Sequence, residues 1–358
     1  MNSTRWHFYL KTQDAWRSMK EACLNARASI DFEQYIFEDD AIGKEFVEVF
    51  LKKQKEGVKV RILCDMVGSF SFWSSPLPQR LRAAGAEMRF FHIVKPWRMG
   101  KILSWFFRDH RKVLVVDNTI GFVGGVCFRD QMRDWRDTHL KIFGPVVSEM
   151  REAFEELWQA AAEKNIFRRL KKGRKFVRGF YFITNSPYFR KRFLYREHLS
   201  AIRSAKRFIY FTTPYFVPDH RISRALRAAA GRGVEVKILL PAVSDIPWAD
   251  RASRALWGRF LSAGVQLFRY HGDVLHAKTA VIDNSWSTVG SFNLDNMSIL
   301  FNYEANIVST EVRFAEEAKK IFLNDLARSQ PVVLSEWLKR PLRQKMLEWL
   351  ILPFRKFL

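Results

Sequence analysis

One motif, present twice, constrains this chain more than anything else in it. His110, Lys112 and Asp117 recur as His276, Lys278 and Asp283 with the same spacing. The residues between each Lys and Asp are mostly apolar and β-branched, the pattern of a buried strand. A strand's period of two puts His and Lys on the same face. An imidazole beside an ammonium suits phosphate chemistry: one attacks or moves a proton, the other neutralises oxyanion charge. A single copy would read as a strand with a snorkelling lysine. The second copy argues for function, and the echo extends to Gly124 and Gly125 in the first and Gly290 and Ser291 in the second, starting seven residues past each Asp.

Around the two motifs the chain alternates helices and strands, which predicts an α/β fold. A helix is expected over 13–27, a strand over 29–37, a helix over 41–55 ended by Gly57, and a strand over 58–65. The same order returns as a strand at 207–211, a helix at 219–230 ended by Gly233, and a strand at 234–240. This is a duplication of a unit of about 150 residues, and alternation of this kind implies a largely parallel sheet. The interval from Gly to His is longer in the first copy, and much of the surplus falls in a basic, aromatic insertion at 95–108. The expected organisation is a first domain over 1–165, a basic linker at 166–180, a second domain over 181–328 and a tail at 329–358.

Composition narrows the partners. The 358 residues suffice for two domains with their own cores. The 60 Lys and Arg against 37 Asp and Glu give a net charge of +23, which implies a polyanionic partner such as anionic lipid or nucleic acid. The 12 Trp and 32 Phe favour lipid. The three cysteines show no metal or redox spacing, which argues for a reducing compartment. Charges interrupt the first thirty residues, and no apolar run reaches the roughly 18–20 residues of a spanning helix, so a soluble or peripheral protein is expected and not a spanning one.

With these motifs in place the chain resembles the phospholipase D superfamily, and within it bacterial cardiolipin synthases. The resemblance rests on the doubled motif, on residues 35–40, 121–125, 135–138, 144–145, 213–218 and 290–295, and covers about 30–310. It implies two duplicated phospholipase D-like α/β sandwich domains packed as a pseudo-twofold pair, with one active site between them. By resemblance His110 is the nucleophile that forms a phosphohistidine, and His276 the general acid and then base. Lys112 and Lys278 would bind the phosphate oxygens, with Asn293, Ser291 and Gly125 at the substrate. Cys127 stands where the first copy should match Asn293, and it donates poorly. Glu304 and Asp137 are candidates to hold an imidazole tautomer. Asp117 and Asp283 sit at an odd offset from the His, so a structural role stands open beside a catalytic one.

The expected reaction passes a phosphatidyl group from phosphatidylglycerol to the hydroxyl of a second phospholipid or alcohol, with no cofactor and no metal, since the other histidines lack ligand spacing. The alternatives are a phospholipase D that uses water, a nuclease of the same superfamily, and a membrane scaffold with a dead site. An anionic phospholipid membrane surface is the expected partner, and nucleic acid is not. The resemblance places the chain peripherally on the cytoplasmic face of a bacterial inner membrane. Expected membrane contacts are Trp97, Trp105, Phe106 and Phe107 in the insertion, and Trp337 and Trp349 in a basic amphipathic tail.

Overall fold

In the computed structural model, residues 4–91, 106–162, 179–188 and 192–353 are described. The duplication is complete at the level of strands. In the first half a seven-stranded sheet runs in the order Arg5–Lys11, Arg136–Phe143, Ile120–Gly124, Val113–Val116, Ser29–Gln34, Lys59–Asp65, Glu87–Phe91. In the second half the same order returns as Phe180–Asn185, Asn302–Ser309, Trp286–Gly290, Thr279–Ile282, Phe208–Thr212, Glu235–Pro241 and Gln266–Tyr270. The edge strands Arg5–Lys11 and Phe180–Asn185 went unread in the sequence.

The sheets are mixed rather than largely parallel. The three strands joined through helices run parallel, Ser29–Gln34 with Lys59–Asp65 and Glu87–Phe91, and so do their counterparts. The strands beyond them are antiparallel. Short connections such as residues 117–119 allow only an antiparallel return, whereas a parallel one needs a helix-length crossover.

Both faces of each sheet are covered. Leu114 and Val116 point into a core with Trp16, Phe46 and Phe50 from helices Thr12–Leu24 and Ala41–Lys55. Val113 and Val115 point the other way, into a core shared with Val281, Val289 and Ile307 of the second half. A strand buried on both faces reads as an unbroken apolar run, which is why the motif's strand shows no alternation. The shared core holds the two sheets face to face. Gly57 and Gly233 end equivalent helices with φ of 81° and 85°, a region that costs glycine nothing.

The tail does not stand apart. Ser329–Pro331 adds an antiparallel strand beside Gln266–Tyr270, so the second unit runs beyond 328. Helix Leu334–Leu338 follows, and Leu342–Ile351 packs on helix Pro247–Leu261. Trp337 is buried, with its ring 4.8 Å from that of Trp257 and Arg340 over its face. Its assignment to the membrane is therefore corrected: stacking and a cation–π contact hold it inside the protein. Glu348 is buried too, facing Arg254 and Arg340. Of the apolar face expected of the tail, Leu338, Leu342, Met346, Trp349 and Leu350, the leucine and methionine side chains face solvent. Trp97 and Trp105, the Trp349 side chain and most of the linker lie outside the described residues.

Candidate active site

Each motif histidine is placed by the opposite half. Arg108–Asp109 runs parallel to Asn302–Ser309, and the His110 amide donates to the Tyr303 carbonyl at 3.0 Å. In the mirror arrangement the Arg136 amide donates to Val274, and the His276 amide to the Arg136 carbonyl at 2.8 Å. The side chains cross in the same way. His110 Nδ1 lies 2.9 and 3.0 Å from the Glu304 carboxylate, and His276 Nδ1 lies 2.7 Å from Asp137.

The two carboxylates hold equivalent places. Gly124 stands opposite His139 and Gly290 opposite Asn306, and the acids come two residues before each partner. Each carboxylate accepts from Nδ1–H, which fixes the tautomer and leaves Nε2 for the substrate. His110 is influenced by Lys112, Lys278 and His276 together, so both motifs converge on one site. The lysines are fully buried, and each donates to the carbonyl of its own histidine, at 2.7 Å for Lys112 and 2.5 Å for Lys278.

The surroundings distinguish the two pairs. Burial pushes Glu304 up to about 7, against donation from Ser291, Ser298 and Asn302. Burial would also raise Asp137, but the charge and hydrogen bond of His276, with Lys278 behind it, hold it below the usual carboxylate range. Both histidines are lowered, first by burial and then by nearby lysine charge. Only His276 has an acid partner among the main influences that raise it again. Burial brings Lys278 down to about 8, with Lys112 adding to the fall. Two ammonium groups in one dry cleft repel each other until an anion arrives, and a phosphodiester supplies that charge.

Of the remaining predicted residues, Ser291 donates to Glu304 rather than facing outward. Gly125, its counterpart, makes room: a Cβ there would come within 2.3 Å of the Asp137 carboxylate, so Gly125 serves the acid and not the substrate. Asn293 is buried, its Nδ2 donates to Ser298 Oγ at 3.4 Å and its Oδ1 has no partner. Cys127 is buried close to both lysines.

The motif aspartates hold backbone amides at the start of the neighbouring strands. Asp117 accepts from the amides of Arg27, Ala28 and Ser29, and Asp283 from those of Lys206, Arg207 and Phe208. Asp117–Asn118 and Asp283–Asn284 all have positive φ, the backbone of a tight hairpin turn. Phe106 and Phe107 rest against Phe301, and Phe107 also against Tyr188, so they join the halves, although Phe106 keeps an exposed edge.

Residues that the sequence left without a site role also line the site. The Tyr35 ring lies 4.7 Å from that of His110, with the Lys112 ammonium over it. Trp135 and Tyr215 lie 5.3 and 6.4 Å from His276, and Tyr215 donates to Asp245 at 2.7 Å. All three fall in stretches that carry the family resemblance, and Tyr35 and Tyr215 each come just after a strand paired with a motif strand. Among the described residues, no group of three or more His, Cys, Asp or Glu is placed to hold a metal ion.

Comparison with known proteins agrees with this duplicated site. The family model described as "Cardiolipin synthase, PLD-like domain" matches residues 19–158 and again 199–326, one match around each motif. The chain belongs to this phospholipase D-like cardiolipin synthase family. A cardiolipin synthase of Clostridium perfringens is 32% identical over 362 residues, spanning 96% of this chain and 75% of that protein. Cardiolipin synthase A of Pseudomonas fluorescens is 33% identical over 354 residues, 92% of this chain and 70% of that protein. Among solved structures, phosphatidylserine synthase of Haemophilus influenzae has the same fold, with a TM-score of 0.75 at 14% identity, covering 99% of this chain and 95% of that one. Polyphosphate kinase of Porphyromonas gingivalis shares it more distantly, with a TM-score of 0.59 at 11% identity, covering 90% and 50%.

Proposed function

We propose that this chain is a cardiolipin synthase that moves a phosphatidyl group between two phosphatidylglycerol molecules through a phosphohistidine. His110 Nε2 attacks phosphorus while His276, as imidazolium, protonates the departing glycerol oxygen. Neutral His276 then takes the proton from the hydroxyl of a second phosphatidylglycerol, which attacks phosphorus, and cardiolipin leaves as His110 is restored. Lys112, Lys278 and Asn293 hold the non-bridging oxygens. The observation that carries this reading is the crossed pairing of His110 with Glu304 and His276 with Asp137 in one site. Burial and lysine charge lower both histidines, His110 the further, while the Asp137 carboxylate, itself held below the usual range, works against that fall at His276.

A peripheral seat on the cytoplasmic face of a bacterial inner membrane goes with this reading, supported by the net charge and by the solvent-facing stripe of the tail. Among the described residues, no helix is long and apolar enough to cross a membrane. Mass spectrometry of lipids from a cardiolipin-free bacterial host expressing the chain tests the function. Cardiolipin should appear with the wild type and not with His110→Ala. Phosphatidic acid in its place would mean hydrolysis, and no new lipid would sink both.

A further inference from the structure

Residues 66–75 follow the strand Lys59–Asp65, and residues 242–248 follow its counterpart Glu235–Pro241. Both stretches leave the C-terminal ends of parallel strands, the edge at which open α/β sheets present their ligand loops. The first has no charged side chain. The second has one, Asp245, and it is occupied by the Tyr215 hydroxyl. Phe70 is 56% exposed and Trp248 59%, and Val67, Trp73, Val243 and Ile246 are exposed with them. Single apolar side chains on a surface are ordinary; six in two short, matched stretches mark a contact.

Each stretch also forms part of the wall of the site. Gly68 lies so close to Tyr35 that a Cβ would come within 2.8 Å of its ring, and Ser69 Oγ donates to the Tyr35 carbonyl at 2.9 Å. Tyr35 in turn covers His110. On the other side Asp245 holds Tyr215, which faces His276. The two stretches thus flank the paired histidines, one behind Tyr35 and the other behind Tyr215. Arg251 lies over the Trp248 ring at 5.0 Å. A groove lined by Val243, Pro247, Arg343 and Leu347 continues from there to the helix Leu342–Ile351, with its outward Leu342, Met346 and Leu350.

We propose that residues 66–75 and 242–248 form a paired rim that inserts into an anionic phospholipid bilayer, so that the diester enters the site from the membrane and not from solution. The inference rests on the lipid reading above and adds where the membrane sits. Tryptophan beside arginine suits the interface, where a ring meets the acyl boundary and a guanidinium the phosphates. A protein seated on both stretches would close the opening through which a two-chain lipid has to pass, whereas a bilayer supplies that lipid.

The test compares phosphatidylglycerol vesicles with a short-chain phosphatidylglycerol kept below its micelle concentration. Phe70→Ser combined with Trp248→Ser should lower turnover on vesicles by about tenfold or more, as lost burial of two rings implies. Turnover of the short-chain lipid should stay at the wild-type rate. A wild type inactive on both substrates would sink the function itself, while an active wild type with unimpaired variant turnover on vesicles overturns the rim alone. Vesicles with brominated acyl chains should quench tryptophan fluorescence, and the combined Trp73→Phe, Trp248→Phe variant should keep vesicle turnover yet show less quenching. Unchanged quenching, or a serine variant whose only change is its oligomeric state, would also overturn the rim.

Discussion

Glu304 of the second half holds His110 of the first, at 2.9 Å from Nδ1. The reverse crossing, Asp137 of the first half on His276 of the second, completes a site that neither half builds alone. Glu304→Gln and Asp137→Asn should each lower kcat by about 10²–10⁴, the range of general acid–base contributions, with little loss of stability. Normal kcat in Glu304→Gln would mean that the carboxylate does not orient the imidazole.

The pH profile should be bell-shaped in kcat/KM, which reports the free enzyme. Glu304, raised to about 7, must be ionised to accept from His110 Nδ1–H, so activity is lost as pH falls through about 7. His276 must carry its proton to act as the acid and burial lowers it, so activity falls first as it deprotonates, and falls further as pH rises through about 8, where Lys278 loses the charge that holds phosphate. Lys278→Arg should remove the loss near pH 8, because a guanidinium keeps its charge. A loss that persists there would assign it to another group.

Asp117→Ala should cost about 2 kcal/mol of stability, since three backbone amides lose a charged acceptor. Turnover per folded molecule at low temperature should persist. A stable but inactive variant would return Asp117 to the chemistry.

Much of this site was legible in the sequence because it is carried by residue types at fixed spacing. His110, Lys112, His276 and Lys278 fall where the doubled motif puts them, and the acids Glu304 and Asp137 were visible as candidates. Their crossing between halves was not, because the register that sets Tyr303 beside Asp109 is a tertiary fact. Asp117 and Asp283 share the motif with the chemistry but hold hairpins, so spacing alone did not separate the two roles. Trp337 misled for a similar reason: helical periodicity marks an apolar face without saying whether protein or lipid covers it.

Trp337→Ala should therefore cost about 3–5 kcal/mol, the range for a buried tryptophan. Leu342→Ser with Met346→Ser should leave the melting temperature close to wild type, because both side chains face solvent. Thermal unfolding distinguishes the two, and equal losses would mean that the outer stripe is also packed.

Cys127→Asn should fold and keep activity, and Asn293→Ala should lose on the order of 10², the usual effect of one transition-state donor. Loss of folding in Cys127→Asn would show that the buried thiol is needed for packing next to the lysines.

The most direct test is to trap the covalent intermediate and map it. A phosphatidyl ester with a p-nitrophenyl leaving group needs no proton from His276, so His276→Ala should still release p-nitrophenol and accumulate an adduct. Peptide mass spectrometry should place the phosphatidyl group on His110, and His110→Ala should form no adduct. An adduct on His276 in the wild type, or one that still forms in His110→Ala, would contradict the account.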